Sequence, residues 1–158
     1  MEGLIRMHNF ESWKDAMNER FSDFLPVDLQ FQNEEEKEEV ATTIKEFYFG
    51  DEPVNEKTIL SYIDFFSDTM FTHSVLWTSS MHVKNGNNNI YLYEYSFVDE
   101  DWPVVPYTDV RGARHCAQEF SLFDGLGVYT SDEIGLSEGF RNLKEIMREM
   151  WHNFVTTG

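Results

Sequence analysis

The stretch "IYLYEYSFV", residues 90–98, decides which fold class the sequence predicts. Aromatic residues occupy every second position from 91 to 97, and the positions between them hold Leu, Glu and Ser. This period of two, built from residues that favour extended backbone, predicts one β-strand over 90–98. Because the backbone of a strand must pair with neighbours, the prediction also requires further strands outside this stretch.

Apolar residues spaced three and four positions apart predict helices before this strand. Residues 10–25 carry such a face, and Pro26 ends it. A second helix is expected from Asn33 to Phe49, with acidic residues at its start and Gly50 at its end. Asn55 is expected to cap a third helix. The predicted inward residues of this third helix are Ile59, Tyr62, Ile63 and Phe66.

Two more helices complete the prediction. Ser67 or Asp68 is expected to cap a fourth helix, which closes before "KNGNNN" at 84–89. Its predicted inward residues are Met70, Phe71, Val75 and Trp77. The last helix is expected over 137–156, with one apolar stripe. That stripe consists of Phe140, Leu143, Met147, Met150, Trp151 and Phe154. The sequence shows no internal repeats and no plausible linker between two domains.

Composition excludes several classes of function. The formal net charge of −17 argues against a nucleic-acid partner, which needs clustered Lys and Arg. No apolar run reaches membrane-spanning length, so no membrane partner is expected. The five histidines (His8, His73, His82, His115 and His152) lack ligand spacing, and no Gly-rich phosphate loop occurs; we therefore expect neither a metal nor a cofactor.

One histidine lies in a suggestive setting, "RGARHCAQEFSLF" at 111–123. Lone histidines are more often structural than catalytic, so His115 could be a hydrogen-bonded core residue or a working base. Cys116, the only cysteine, cannot form a disulfide within the chain, and we expect it to be a small buried residue. A Cys–His nucleophile is disfavoured because sequence neighbours usually point apart.

A second motif, "GLSEG" at 135–139, matches the nucleophile-elbow pattern G-x-S-x-G. That pattern works where a buried strand turns sharply into a helix and exposes the serine. Here the preceding "VYTSDEI" is short and polar, and Ser137 follows His115 instead of preceding it. The sequence therefore predicts Ser137 as a helix cap and not as a nucleophile.

Several segments in order resemble the C-terminal part of the type-B carboxylesterases, the family that includes cholinesterases. The matching segments are "NNIYLYEYSF", then "GARHCAQEFSLF", then a helix ending "MWHNFVTTG". "FFSDTMF" at 65–71 resembles the helix start that precedes the family's aromatic strand. "MEGLIR" resembles the Glu-Gly pair found somewhat over a hundred residues before the catalytic histidine.

This resemblance implies that residues 1–158 are a single C-terminal fragment of a type-B carboxylesterase domain. The fold it implies is a partial α/β-hydrolase fold, mostly helical, with one clear sheet strand at about 90–98. It implies catalytic roles for His115 as general base and acid and for Glu2 as the carboxylate that orients it. The family's reaction is hydrolysis of a small-molecule carboxylic ester through a serine acyl-enzyme. The nucleophile serine and the oxyanion loop should precede Glu2, so this chain alone is expected to be inactive.

Departures from the family refine these expectations. Gln118 stands where an acidic residue is common, and Ile5 and Arg6 replace the aromatic residues that line choline pockets. A general carboxylesterase is therefore favoured over a cholinesterase. Family members are often secreted or in the endoplasmic reticulum lumen, but the N-terminus shows no secretory segment, so localisation stays open. An unpaired aromatic strand also raises the prospect of self-association.

Two alternatives stay open at this point. One is a non-catalytic, adhesion-type relative of the same family, which the presence of both Glu2 and His115 disfavours. The other is a free-standing acidic helical interaction module without hydrolase ancestry, which the period of two at 90–98 disfavours.

Overall fold

The computed structural model describes residues 9–100, 102–113, 115–123 and 137–158. The chain divides into two compact units, Met1–Tyr93 and Glu94–Gly158. All regular elements in the described ranges are helices. No helix among them is long and apolar enough to cross a membrane.

The first unit begins with helix α1, Asn9–Glu19, followed by a 3₁₀ turn at Phe21–Phe24. The predicted apolar face is correct, since Phe10, Met17 and Phe21 are buried. The predicted continuous helix over 10–25 is wrong, because Arg20 leaves helical geometry at φ −148° and ψ 87°. The tighter 3₁₀ turn after this break still directs the ring of Phe21 into the core.

Helix α2, Glu34–Phe49, confirms its predicted bounds and both of its end signals. The side chain of Asn33 accepts a hydrogen bond from the Glu36 N–H at 2.9 Å. Gly50 adopts φ +58°, and its N–H donates to the Glu46 carbonyl at 2.9 Å. A glycine suits this position because a side chain is strained at such a φ.

A side-chain clamp joins α1 to the segment before the next helix. The amide of Asn18 both donates to the Val54 carbonyl and accepts from the Val54 N–H, each at 2.8 Å. Val54 is thereby held in the core. Asn55 then caps the 3₁₀ turn Glu56–Thr58, as predicted, through the N–H of Lys57 at 2.8 Å.

Helix α3, Ile59–Ser67, brings its aromatic residues into the centre of the first unit. Tyr62 and Phe65 are fully buried. The Tyr62 ring meets Phe10 at a centroid distance of 5.0 Å and Phe66 at 4.8 Å. The Phe65 ring meets Phe21 at 5.1 Å. Ring contacts of this kind add to the hydrophobic stabilisation of the core.

The predicted cap at Ser67 or Asp68 is wrong. The chain continues through a π-helical turn, Asp68–Thr72, into helix α4, His73–Lys84, and no side-chain cap interrupts it. A π turn holds more residues than an α turn. The side chains that follow it are therefore rotated about the helix axis, relative to their positions in a continuous α-helix. Consequently Met70, Phe71, Val75 and Trp77 are exposed instead of inward. The helix ends at Lys84, the first residue of "KNGNNN" and so within one residue of the predicted end.

The predicted strand at 90–98 is also wrong, and with it the α/β class. Residues 90–98 belong to no regular element, and no strand occurs in the ranges that the structure describes. A strand is stable only when its backbone groups pair with a neighbour, and none of the described segments pairs with this one. Tyr91, Leu92 and Tyr93 remain exposed.

In the second unit, the short helix α5, Ala117–Leu122, packs on α6, Glu138–Thr157. Ala117 and Ser121 from α5, and Phe140 and Met147 from α6, are buried. The ring of Phe97 meets Phe140 at a centroid distance of 5.9 Å. The first half of the predicted stripe is therefore confirmed, whereas Met150 and Phe154 are exposed.

We expect Tyr62→Phe to preserve the stability of the first unit at neutral pH, because the buried Tyr62 hydroxyl has no hydrogen-bond partner in the described structure. Burial raises the pKa of Tyr62 from 10.0 to about 12. The folded state therefore retains a proton that the unfolded chain loses above pH 10, and stability falls by about 1.4 kcal/mol per pH unit from pH 10 to 12. Tyr62→Phe should remove this contribution, measured by urea unfolding at several pH values.

Tyr48→Phe is the matched control, because the Tyr48 hydroxyl donates to the Asp68 carboxylate at 2.9 Å. Losing this bond should lower the free energy of unfolding by about 1 kcal/mol at neutral pH. A comparable loss in Tyr62→Phe would contradict the assignment of an unpartnered hydroxyl.

Candidate active site around His115

His115 lies in a turn directly before α5, at the end of the loop that follows residue 102. Its side chain is exposed. The interpretation of His115 as a buried core histidine is therefore wrong. Gly112, which the sequence places just before it, is exposed, and a Cβ at this glycine would meet nothing within 4 Å. His115 and Gly112 are therefore both exposed positions of this loop.

Cys116, which follows the histidine, adopts a left-handed backbone with φ +61° and begins α5. Residues other than glycine seldom adopt this backbone conformation. The cysteine is exposed, so the expectation of a small buried residue is wrong. The left-handed residue lies between the loop and α5, and His115 directly precedes it at the N-terminal end of this helix.

Helix α5 anchors this turn to the second unit. The buried Ser121 hydroxyl donates to the Gln118 carbonyl at 2.6 Å. At the far end of α5, the Arg148 guanidinium donates from Nε to the Leu122 carbonyl at 3.2 Å. The first bond lies within α5, and the second joins α6 to the end of α5. The turn that carries His115 is therefore followed directly by a helix whose position is fixed by these bonds.

Burial raises the pKa of the Tyr95 phenol, and the Ser121 hydroxyl partly offsets this rise.

Ser137 is the N-cap of α6, as the sequence predicted. Its hydroxyl accepts a hydrogen bond from the Phe140 N–H at 3.0 Å and donates to the carboxylate of Asp99. Asp99 is itself buried. The serine hydroxyl proton is directed to a carboxylate, and the serine oxygen accepts from a backbone N–H in the first turn of α6. This geometry is that of a helix cap and not of a nucleophile elbow.

Sequence reasoning missed Asp99. The two residues of the Asp99–Ser137 pair are 38 positions apart, and neither position carries a local signal for the contact. The contact matters because it joins the end of the aromatic segment at 90–98 to the start of α6.

Glu2, the other predicted catalytic residue, lies outside the described residues, so its approach to His115 stays a prediction. No metal-binding group of His, Cys, Asp or Glu occurs in the described ranges.

Comparison with known proteins shows the family of the chain. The family model of the carboxylesterase family matches residues 2–158. This chain belongs to the carboxylesterase family. The chain is 25% identical over 171 aligned residues to Esterase E4 and to Esterase FE4, both from Myzus persicae. The alignments cover 99% of this chain but 30% and 29% of the two esterases. No solved structure matches it significantly.

We expect Ser137→Ala to destabilise the second unit by about 1–2 kcal/mol, because the substitution removes an N-cap and a partner of buried Asp99. Asn142→Ala, at an exposed position of the same helix, should change stability by less than about 0.5 kcal/mol. Thermal and urea unfolding of both variants measure the difference. Equal effects would show that the Ser137 cap contributes nothing specific.

Proposed function

We propose that this chain forms part of a carboxylic ester hydrolase and supplies His115 as the general base and acid of its catalytic triad. The observation that carries the proposal is the exposed position of His115 on an anchored helix start, in a chain that belongs to the carboxylesterase family. An exposed imidazole is accessible to a substrate, which a core histidine is not.

The chemistry follows from general triad principles. The imidazole of His115 removes the proton from a serine hydroxyl as that oxygen attacks the ester carbonyl, and then returns a proton to the departing alkoxide. The carboxylate of Glu2 holds the imidazole in the required tautomer and stabilises the imidazolium that forms. Glu2 and His115 are more than a hundred positions apart, so only the fold can join them.

The nucleophile must come from outside residues 1–158 in this proposal. The single G-x-S-x-G of the sequence is at 135–139, and its serine serves as a helix cap bonded to Asp99. The substrate is a small carboxylic ester, and a general carboxylesterase fits better than a cholinesterase because Ile5 and Arg6 lack aromatic rings. The net charge of −17 disfavours nucleic acid as a partner.

Family membership removes one alternative and leaves another. A free-standing interaction module without hydrolase ancestry conflicts with the family match over residues 2–158. A non-catalytic, adhesion-type relative has that ancestry, and it differs from the proposal in one respect. In an adhesion protein, His115 would make no special contribution to ester hydrolysis.

A chimera tests the role of His115. In Esterase E4, the segment that aligns with this chain is replaced by residues 1–158, and hydrolysis of p-nitrophenyl acetate is measured. We expect His115→Ala to lower kcat of the chimera by at least about 10³-fold, because a triad acts as a unit. Glu2→Gln should lower kcat as well, with a smaller effect.

His152→Ala is the matched control, since His152 is an exposed histidine of α6. It should leave kcat within about twofold of the unsubstituted chimera. An active chimera that tolerates His115→Ala as well as His152→Ala would overturn the catalytic assignment. Labelling of the chimera by a fluorophosphonate reports separately whether the transplanted protein has an intact nucleophile.

The 158-residue chain alone should hydrolyse p-nitrophenyl acetate no faster than its own His115→Ala variant. The reason is that a general base without a serine to activate provides no acyl-enzyme pathway. Stopped-flow measurement of the nitrophenolate burst checks this. An acyl-enzyme burst, or fluorophosphonate labelling of Ser137, would contradict both the missing nucleophile and the cap assignment.

A further inference from the structure

The loop that leads to His115 is hydrogen-bonded across its two sides. The Val105 N–H donates to the Val110 carbonyl at 2.7 Å. The N–H and the hydroxyl of Thr108 both donate to the Val105 carbonyl, at 3.1 and 2.9 Å, and this hydroxyl accepts from the Val110 N–H at 3.1 Å. A loop closed in this way is compact, so its position is set by the residues that hold its ends.

Trp102, at the beginning of this loop, is fixed to the start of α6. Its ring lies 6.1 Å from the ring of Phe97 and 6.4 Å from that of Phe140, measured between centroids. Its N–H donates to the Asp99 carbonyl at 3.1 Å, and the Asp99 carboxylate accepts from Ser137, the cap of α6. Trp102 is therefore held by its ring and by its backbone.

Arg111 connects the end of the loop to this anchor. Its Nε donates to the Trp102 carbonyl at 2.7 Å, across nine positions of the chain. A charged donor makes a stronger hydrogen bond than a neutral one. His115 follows four residues later, and α5 begins at Ala117. The segment that carries His115 is therefore held on its upstream side by Arg111 and on its downstream side by α5.

The order of this short segment depends on those two ends. Gly112, Ala113 and His115 are exposed and belong to no regular helix or strand. Exposed irregular backbone gains little stability from packing, so the bonds at its ends decide how far it moves. Proton transfer is sensitive to such movement, because a displacement of about 1 Å can lower a catalysed rate on the order of 10²-fold.

We propose that Arg111 is a positioning residue for His115. Its Nε–H bond to the Trp102 carbonyl fixes the upstream end of the segment that carries the imidazole. The donor at Nε provides this role, and the positive charge is not required for it. The catalytic consequence rests on the proposed function of His115, whereas the effect on the order of the segment does not.

Two substitutions separate the donor from the charge. Arg111→Gln places an amide nitrogen at the same number of bonds from Cα as Nε, so it keeps a donor and removes the charge. Arg111→Met removes both the donor and the charge with little change in length near this position. Asp109→Ala is the matched control, since Asp109 is a charged, exposed residue of the same loop. Near-UV circular dichroism verifies that the variants are folded.

The first readout is the ¹⁵N order parameter of the backbone amides at 112, 113, 115 and 116, measured in the 158-residue chain. We expect Arg111→Met to lower these order parameters by about 0.1–0.2, toward the range of flexible backbone. Arg111→Gln and Asp109→Ala should leave them unchanged. Order parameters that Arg111→Met does not change would overturn the positioning role, whatever the function of His115.

The second readout is catalysis by the chimera with Esterase E4. Arg111→Met should lower kcat and kcat/KM equally, by about tenfold, because a displaced base weakens only the transition state. Arg111→Gln should stay within about twofold of the unsubstituted chimera. Equal losses in the Gln and Met variants would overturn the hydrogen bond as the cause. An unchanged kcat in Arg111→Met, in a chimera that His115→Ala inactivates, would also overturn the proposal. A chimera that tolerates His115→Ala would instead refute the proposed function.

Discussion

The aromatic ring of Phe65 occupies the position on which the first unit depends. It is fully buried, and its centroid lies 5.1 Å from Phe21, 5.5 Å from Tyr48 and 5.0 Å from Phe66. These partners come from the 3₁₀ turn after α1, from α2 and from α3 itself. One side chain therefore connects three elements, and the break at Arg20 and the Asn18 clamp both serve to bring their elements to it.

The packing around Phe65 also determines what happens next along the chain. Once Tyr62, Phe65 and Phe66 have filled the core, the helix continues beyond its edge. The π turn follows at this edge, where the Thr69 hydroxyl donates to the Phe65 carbonyl at 2.7 Å and Asp68 accepts from Tyr48. The turn is thus bonded to Phe65 in the preceding helical turn and to Tyr48 of α2. Helix α4, which follows the π turn, contributes no buried residue to this core.

The sequence predicted correctly those features whose causes lie within a few residues. Asn33 and Gly50 bound α2, and Ser137 caps α6, because a cap needs only its own backbone neighbours. It failed where the cause is distant. Strand formation at 90–98 depends on partners that no local pattern specifies, and the orientation of Trp77 depends on a π turn that an α-helical period does not anticipate. The Asp99–Ser137 contact had no sequence signal either.

The same distinction between local and distant causes applies to the candidate site. The carboxylesterase family was recognisable from ordered motifs, and the family match over residues 2–158 confirms it. The exposure of His115 was not, because it depends on the packing of the chain around the turn before α5. General base catalysis needs an imidazole held in one tautomer and partly shielded from water, since water weakens every electrostatic contact that stabilises the transition state. The turn before α5 fixes the backbone of His115 yet leaves its side chain exposed. In the proposed triad, groups beyond this turn, Glu2 among them, would complete the catalytic environment.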